Sequence, residues 1–497
     1  MNIKQAKEEI LHTLQAYLMK DELGEYQIPT VRQRPILLMG PPGVGKTQIM
    51  EQIAAESGVG LVAYTITHHT RQSAVGLPFI ERRVYGGREF SVTEYTMSEI
   101  LSSVYQMIER TGIGEGIIFL DEINCVSETL APMMLQFLQC KTFGNQRLPE
   151  GWVIVAAGNP PEYNKSVRDF DIVTLDRVKR IDVTADFAVW KEYALRRGLH
   201  GAILSYLDIK KDGFYRIENS VDGPQFVTAR SWEDLSELLY AYEKLDVPAT
   251  REMIGEYIQL PAVARDFANY LQLYYKYQKT YHVDEVLRGA WEPSAVSELR
   301  AAPFDERLSV MSLLMSRLSE NARAVRFQDA LCEDLLAGLS AVRERFDAGT
   351  PMQEALGALA EARRAAFERR REAGQLDKES RRRALSELNR LEQYLNCADT
   401  CRDMDGLRAL FGQDTRRREA LGGETGLLFA NAFRYLEEAL GDSQELVVFV
   451  TEITAGYDTA WFVENFGCEA YFRHNRDLLF DDVRHSLRDR IERARTV

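Results

Sequence analysis

The chain has 497 residues, of which 45% are hydrophobic and 27% are charged. This length predicts more than one domain, because single hydrophobic cores seldom grow beyond about 250–300 residues. A net charge of −14 and a pI of 5.2 argue against a general electrostatic attraction to nucleic acid or to anionic membranes.

Membrane insertion is not expected from this sequence. No stretch approaches the roughly 20 consecutive apolar residues that a transmembrane helix needs. The N-terminal residues also lack the apolar core of a signal peptide. We therefore expect a cytoplasmic protein.

The chain begins with a predicted amphipathic helix from Met1 to about Lys20, in which apolar residues recur at helical spacing. The apolar run 35–39 then predicts a buried strand, and residues 48–56 have helical periodicity again. The segment between them is rich in glycine. A strand, a glycine-rich loop and a helix start, in this order, are typical of a phosphate-binding loop.

The chemistry of such a loop assigns roles to its residues. Backbone N–H groups converge on phosphate oxygens, and a side chain at Gly43 or Gly45 would obstruct that approach. Lys46 is predicted to reach the β- and γ-phosphates, and the Thr47 hydroxyl to hold Mg²⁺. The predicted nucleotide-binding residues are Gly40, Pro41, Pro42, Gly43, Val44, Gly45, Lys46, Thr47 and Gln48.

Two further elements follow the loop and its helix. A β-rich run at residues 61–66 predicts the next strand. Residues 77–95 contain two short alternating runs on either side of Gly86 and Gly87, which predicts a β-hairpin. Helical spacing returns at residues 99–110.

The continuous apolar run 116–120 predicts a central strand buried on both faces, and it ends in Asp121 and Glu122. Ligands of open α/β sheets lie at the carboxyl ends of strands, so these carboxylates should meet whatever the glycine-rich loop binds. Asp121 would support Mg²⁺, while Glu122 would orient the attacking water. The alternative is an acidic strand end that caps the next helix.

The following stretch predicts a helix at residues 128–139, a second small hairpin at 143–146 and a strand at 152–157. Asn159 comes directly after that strand, where its amide could hydrogen-bond the γ-phosphate and the attacking water. A turn asparagine before proline is the alternative. The other phosphate-binding motifs favour the first interpretation.

Together these motifs resemble an AAA+ ATPase, and more narrowly the MoxR family, over roughly residues 27–239. Residues 119–124 and 130–135 resemble the Walker B strand and its helix, and 175–178 and 228–231 resemble the arginine-finger and sensor 2 segments. The resemblance implies catalytic roles for Arg177 and Arg230. The two hairpins match in position the inserts with which AAA+ proteins of this branch grip substrates around a central pore.

The sequence departs from the family pattern at two places. Ala229 stands where a proline is usual before the sensor arginine, which leaves the lid geometry around Arg230 less defined. Cys125 and Val126 replace the usual polar residues after Asn124.

An arginine finger after the last core strand usually points at the nucleotide of a neighbouring subunit. The resemblance therefore implies a homo-oligomer, a hexameric ring, in which Arg177 acts in trans. The alternative for Arg177 is a surface salt bridge to Asp176 or Asp182. Arg168 and Arg180 are the reserve candidates for the finger.

We predict three regions. Residues 1–184 would form the N-terminal helix and the large α/β nucleotide-binding domain, a P-loop fold with a doubly wound parallel sheet. Residues 185–285 would form an α-helical lid, with Ser231 as the N-cap of the Arg230 helix. Residues 286–497 would form an all-α C-terminal extension with breaks at 349–351 and 422–423 and a helical hairpin near 351–395.

The C-terminal hairpin carries two arginine clusters, at 369–371 and 381–383. Glutamates are interleaved with them, so a solvated charged face is favoured over a nucleic-acid site. These glutamates are Glu361, Glu368, Glu372, Glu379 and Glu387. The extension as a whole is expected to recognise a partner.

The predicted activity is hydrolysis of ATP with Mg²⁺ to remodel a protein client. ATP is preferred over GTP because residues 164–167 lack the aspartate of a guanine-binding motif. The family resemblance implies a partner with a von Willebrand factor A domain. Two alternatives remain: a nucleic-acid motor, which arginines in the first hairpin and Lys141 and Arg147 beside the second would favour, and a slowly hydrolysing nucleotide-switched scaffold.

Overall fold

A computed structural model describes residues 1–68, 76–143, 146–163, 170–220, 223–397 and 403–476. The chain divides into two compact units. Unit 1 consists of Met1–Asp186 together with Ala358–Asn389, and unit 2 consists of Phe187–Gly357 together with the chain from Arg390 onward. The nucleotide-binding motifs therefore share a unit with a segment that lies far downstream in the sequence.

The first part of unit 1 alternates strands and helices. In chain order its elements are α1 (Ile3–Leu18), β1 (Ile36–Met39), α2 (Lys46–Ser57), β2 (Gly60–Thr65), β3 (Pro78–Tyr85), β4 (Arg88–Tyr95), α3 (Glu99–Thr111), β5 (Gly116–Asp121), α4 (Ala131–Cys140), β6 (Thr142–Phe143), β7 (Gln146–Arg147), β8 (Trp152–Gly158), α5 (Ile172–Leu175) and β9 (Lys179–Asp182).

A parallel five-stranded sheet with the order β2-β5-β8-β1-β9 forms the centre of unit 1. Every residue of β1 and β8 is buried, as is β5 up to its last residue. These strands are continuous apolar runs because parallel sheets are covered on both faces. The α/β P-loop class is confirmed, and the sheet order brings the carboxyl ends of β1, β5 and β8 side by side.

The predicted hairpin at residues 77–95 is confirmed as β3 and β4. Tyr85 pairs with Arg88, so the loop consists of the two glycines alone. Gly86 and Gly87 have φ angles of 58° and 80°, which is the left-handed backbone of a type I′ turn. Nearly every residue of this hairpin is exposed, including Ile80 and Val84 at 77% and 68%.

Helix α4 begins at Ala131, three residues later than the predicted start at Glu128. Pro132 lies in the first turn of this helix. Proline is tolerated there because the N–H groups of the first turn have no hydrogen-bond partner within the helix. The second predicted hairpin corresponds to β6 and β7, which pair antiparallel. Its turn, residues 144–145, lies outside the described residues.

The helical hairpin predicted near 351–395 consists of α14 (Met352–Glu372) and α15 (Lys378–Asn396). Its central part, Ala358–Asn389, belongs to unit 1. Ala373, between the two helices, is fully buried in the same hydrophobic cluster as residues of β2, β5 and β8. The hairpin tip is therefore part of the core that supports the sheet.

Glu387 was expected on a solvated charged face, and this expectation is wrong. The side chain is buried, and its carboxylate lies 3.0 Å from Nε of Arg363. Arg371, by contrast, is exposed and pairs with Glu368 one turn away. The charged residues of the hairpin thus divide between a partly buried ion pair within unit 1, in which Glu387 is the buried member, and a solvated face.

Unit 2 is mainly helical. Its helices are α6 (Phe187–Arg197), α7 (Gly201–Ile209), α8 (Ala229–Leu245), α9 (Arg251–Tyr257), α10 (Pro261–Thr280), α11 (Val283–Leu287), α12 (Pro293–Ala301), α13 (Phe304–Asp347), α16 (Met404–Leu440), α17 (Gln444–Ala455) and α18 (Tyr457–Phe466). The predicted all-α region from residue 286 onward is confirmed over its described residues.

The predicted lid is not purely helical. Two strands, β10 (Arg216–Ser220) and β11 (Gly223–Val227), pair antiparallel within it. Ile217 pairs with Phe226, and Val227 at the end of β11 is buried. These two five-residue strands lack a regular alternation of apolar and polar residues, so the sequence did not predict them.

The predicted break at 349–351 is confirmed, because α13 ends at Asp347 and α14 begins at Met352. The predicted break at 422–423 is wrong, since α16 continues through both glycines. The ring of Phe466 packs against Gly422, and a Cβ at this position would overlap that ring. Gly422 therefore permits close packing inside a continuous helix.

Among the described residues, no helix is by itself long and apolar enough to cross a membrane, and α17 and α18 meet that requirement only as a pair bent by 88°.

Candidate active site

The glycine-rich loop connects the carboxyl end of β1 to the first turn of α2. Gly43 and Gly45 have φ angles of 74° and 92°, a backbone conformation that favours glycine. Gly45 is the N-cap of α2, so the unpaired N–H groups and the positive end of the helix dipole face the loop. All nine predicted nucleotide-binding residues, 40–48, lie in this loop and helix turn. Such a terminus suits phosphate oxygens.

Lys46 joins the loop to the end of β8. Its ammonium group donates hydrogen bonds to Oδ1 of Asn159 at 2.9 Å and to the carbonyl oxygens of Gly40 and Pro41 at 2.7 and 2.9 Å. Only 8% of Lys46 is exposed. A buried ammonium group is thus held among oxygen atoms at the point where the two strands end.

Thr47 and Asp121 form a second contact between strand ends. The Thr47 hydroxyl donates to Oδ2 of Asp121 at 3.0 Å, and Oδ1 of the same carboxylate accepts the N–H of Glu122 at 2.9 Å. A hydroxyl and a carboxylate oxygen are the donors that Mg²⁺ prefers. This pair therefore fits the predicted Mg²⁺ site.

Glu122 has a left-handed backbone, with φ of 56°, which is uncommon for a residue other than glycine. Its Oε2 accepts a 3.0 Å hydrogen bond from the Thr67 hydroxyl. Such backbone conformations cost about 1–3 kcal/mol and persist where the surroundings enforce them. The turn after β5 thus fixes the carboxylate by its backbone and by Thr67.

Sequence reasoning missed Thr67 as a site residue. It lies just beyond β2, and the register places Thr65 of β2 beside Asp121 of β5. Only the strand order, in which β2 and β5 are neighbours, brings Thr67 to Glu122. The sequence feature that could have indicated Thr67 is a threonine immediately after a predicted strand.

Asn124 was also given no role of its own. Its Nδ2 donates to the backbone carbonyl of Asn159 at 2.8 Å, and its side chain packs against Gly158. Asn124 is buried, and its Oδ1 has no hydrogen-bond partner among the described residues. Asn124 thus holds the backbone of the loop that carries Asn159.

Cys125 follows directly. Its N–H donates to the carbonyl of Glu122 at 2.9 Å, which closes the turn after β5. Burial raises the pKa of the Cys125 thiol, and the neighbouring carboxylates of Glu122 and Asp121 raise it further. The thiol is therefore kept protonated beside the two carboxylates.

The three arginine-finger candidates differ in their surroundings. Arg177 is exposed and hydrogen-bonds Oε1 of Gln139. The ion pairs of the described residues do not join it to Asp176 or Asp182. Arg180 instead pairs with Asp182 on its own strand at 2.8 Å, and Arg168 lies outside the described residues. The role of Arg177 as an arginine finger remains a prediction.

Arg230 belongs to unit 2, in the first turn of α8, and is exposed. The N-cap of this helix is Thr228, so the prediction of Ser231 as the N-cap is wrong. Thr228 and Ser231 form a capping box, in which each side chain satisfies a backbone N–H of the other. The catalytic role of Arg230 remains a prediction.

Comparison with known proteins identifies the domain. Residues 36–175 match the model of the family described as "ATPase family associated with various cellular activities (AAA)". The matched range includes Lys46, Thr47, Asp121, Glu122 and Asn159 and ends before the two predicted catalytic arginines. Among curated proteins, none matches the chain.

The similarity to a solved structure is too weak to add to this family assignment. The crystal structure of a candidate ATPase from Cytophaga hutchinsonii ATCC 33406 is 16% identical to this chain, with a TM-score of 0.22. The match covers 37% of this chain and 50% of the other. This similarity is too low to transfer any property.

Proposed function

We propose, from the AAA ATPase family domain at residues 36–175, that this protein is a MoxR-type ATPase that hydrolyses ATP with Mg²⁺ to remodel a protein client. One observation carries the proposal. Lys46 reaches Asn159, and Thr47 reaches Asp121, so the ends of β1, β5 and β8 meet around a single phosphate-binding loop.

In this proposal the residues divide the chemistry of phosphoryl transfer. The loop N–H groups and Lys46 bind the phosphates, and Asn159 fixes Lys46 and orients the attacking water. Glu122 accepts the proton of that water as general base. Thr47 and Asp121 would hold Mg²⁺, which neutralises the charge that develops on the phosphate oxygens when it is bound.

A ring assembly is proposed from the surface beside Arg177. The short helix α5 exposes 84% of Ile172 and 56% of Val173, two apolar side chains next to an exposed guanidinium. Apolar and arginine side chains are enriched in interface cores. A neighbouring copy would cover this surface and receive Arg177 at its nucleotide, in a hexamer.

The protein client is proposed from the first hairpin. β3 and β4 expose apolar side chains along their length, among them Phe79, Ile80 and Phe90. Exposed apolar surface of this kind commonly marks a contact with a polypeptide. A von Willebrand factor A domain protein remains the proposed partner, on the family resemblance alone.

A nucleic-acid motor is the weaker candidate. Among the hairpin arginines, Arg82 lies 3.6 Å from Glu89, and Arg83 lies 2.8 Å from Glu81 and 3.2 Å from Glu94. Residues 78–95 contain three arginines and three glutamates, so the hairpin carries no net charge. Lys141 is buried and does not present its charge at the surface.

The first experiment measures phosphate release from ATP and Mg²⁺ by the purified protein. Lys46→Ala should abolish nucleotide binding, while Glu122→Gln should retain binding and lose about a hundredfold or more in turnover. Turnover that survives in Glu122→Gln would contradict the catalytic assignment. Unchanged ATP binding in Lys46→Ala would contradict the site.

The second experiment identifies the client. The Glu122→Gln variant with ATP is used to capture partners from lysate of the source organism, and both retained protein and nucleic acid are identified. Stoichiometric retention of a protein without nuclease-sensitive material would support remodelling. Nuclease-sensitive retention without a protein would favour the motor.

The trans role of Arg177 has a separate test. Arg177→Ala subunits and Lys46→Ala subunits are each expected to be inactive, but a mixture should recover part of the activity, because some sites then receive both groups. Arg180→Ala is the matched control and should stay active alone. A mixture that recovers no activity would exclude the trans arrangement.

A further inference from the structure

We infer that Gln375, at the tip of the α14–α15 hairpin, is a positioning residue for ATP hydrolysis that acts through β2 and Thr67 on Glu122. This inference rests on the proposed ATPase function. It assigns a catalytic consequence to a segment that lies far outside the AAA family match and was predicted only as part of a C-terminal extension.

The hairpin tip is hydrogen-bonded to β2 and to the residue before it. Nε2 of Gln375 donates to the carbonyl of Val59 at 3.0 Å, and the N–H of Leu61 donates to the carbonyl of Ala373 at 3.2 Å. Gln375 is 7% exposed, and Ala373 is fully buried. The tip thus takes the hydrogen-bonding place of a neighbouring strand on the outer edge of β2.

The tip itself has a fixed backbone conformation. Gln375 N–H donates to the carbonyl of Arg370 at 3.0 Å, and Gly374 N–H donates to that of Arg371 at 3.2 Å. With Gly374 at φ of 68°, this is the Schellman motif that ends a helix in a fixed conformation. The donor of Gln375 therefore has a defined position relative to α14.

β2 connects the hairpin tip to the candidate site. The inner edge of β2 pairs with β5 over its whole length, up to Thr65 beside Asp121. Two residues later, the Thr67 hydroxyl donates to Glu122. β2 is thus fixed on one edge by the strand that carries the carboxylates and on the other by the hairpin tip, and Thr67 is the point where it meets the proposed general base.

Glutamine suits this position because the amide supplies an N–H donor to a buried carbonyl without burying a charge. Without that donor, the Val59 carbonyl is left unsatisfied and the start of β2 can shift. A displacement of about 1 Å at a catalytic group can cost about a hundredfold in rate. The phosphate-binding loop lies on β1, which is separated from β2 by two strands, so nucleotide binding should be little affected.

The test uses the full-length chain with Gln375→Met, which keeps the length of the side chain and removes the donor. We expect kcat for ATP hydrolysis to decrease about tenfold, while KM and the Kd of a fluorescent ATP analogue stay within about twofold of wild type. Glu372→Ala, an exposed change three residues away, is the control and should leave kcat unchanged. In a Thr67→Val background, Gln375→Met should cause no further decrease, because the path to Glu122 is already broken.

Each outcome bears on the inference. An unchanged kcat in Gln375→Met, or losses that multiply with Thr67→Val, would overturn it. If Gln375→Met does not fold, Gly374→Ala replaces it: a Cβ there lies 3.6 Å from Leu61 without a clash, but the backbone strain displaces the tip, and kcat should fall about threefold at unchanged KM. A wild-type chain that does not hydrolyse ATP would overturn the proposed function and this inference together.

Discussion

Oγ1 of Thr67 lies 3.0 Å from Oε2 of Glu122 and donates a hydrogen bond to it, which joins the end of β2 to the residue that follows β5. Thr67→Val keeps the shape of the side chain and removes the donor. Because Glu122 then loses one of the contacts that orient its carboxylate, we expect kcat to fall about tenfold while nucleotide affinity is retained.

Steady-state ATP hydrolysis and nucleotide titration measure this effect. Thr67→Ser retains the hydroxyl and is the matched control, so it should keep most of the activity. A valine variant as fast as wild type would mean that the backbone of Glu122 alone sets the carboxylate.

A second prediction concerns Asn124 and Gly158. A Cβ at Gly158 would lie 2.7 Å from Oδ1 of Asn124, so Gly158→Ala should destabilise unit 1 by about 1–3 kcal/mol through overpacking. Asn124→Ala removes the side chain that the new methyl group would overlap, but it also leaves the backbone carbonyl of Asn159 without the hydrogen bond from Asn124. The double variant should therefore recover stability and still hydrolyse ATP slowly.

Chemical denaturation and ATPase rates separate the two effects. The single variant Asn124→Ala serves as the reference for the loss of turnover. Recovery of both stability and rate in the double variant would show that the hydrogen bond to Asn159 has no catalytic value.

Adjacent glycines in α16 should respond in opposite directions. Gly422→Ala places a methyl group against the Phe466 ring and should lower the free energy of unfolding by about 1–3 kcal/mol. Gly423 faces open space, and Gly423→Ala should raise the free energy of unfolding by up to about 1 kcal/mol, because alanine is favoured over glycine in a helix interior. Urea unfolding followed by circular dichroism distinguishes them, and destabilisation by both would contradict the packing described at Phe466.

The fourth prediction concerns Lys141, which is 5% exposed and contacts Oε1 of Gln33 at 3.3 Å. Burial lowers the pKa of Lys141 to about 8. In the unfolded chain the pKa is near 10.4, so between about pH 8 and 10 the unfolded state binds more protons and folding becomes more favourable as pH rises. Below pH 8 the cost of burying the charge is present in full.

Lys141→Met should therefore stabilise unit 1 at pH 7 by about 2–3 kcal/mol, less the lost hydrogen bond to Gln33. This advantage should shrink as pH increases from 8 to 10. Unfolding midpoints across this range measure it, with the exposed Lys4→Met as control. An advantage that does not change with pH would contradict the depressed pKa.

The residues that meet at the candidate site could be predicted to lie together because their signals are local. Gly40 to Thr47, Asp121 and Asn159 each directly follow an apolar run, and parallel strands place their carboxyl ends at one edge of the sheet. The supporting contacts could not be predicted in this way. Thr67 reaches Glu122 only because β2 and β5 are neighbours, and an isolated sequence does not specify that order.

The larger differences between the predicted and the observed structure arise from long-range packing. Gly422 and Gly423 have the local pattern of a helix break, but the ring of Phe466 determines how they are used. Residues 358–389 have the helical periodicity of a C-terminal extension, and periodicity does not indicate that Ala373 is buried in the core of unit 1.

The contact between Gln375 and Val59 has a consequence for how the chain is made. The two residues are 316 positions apart, so at about 5–20 residues per second a ribosome adds the second roughly 15–60 s after the first. During that interval the outer edge of β2 has no partner from its own chain, and an open strand edge readily pairs with foreign strands. The sheet of the nascent chain is therefore most exposed to aggregation, or to capture by a chaperone, until Gln375 has been added.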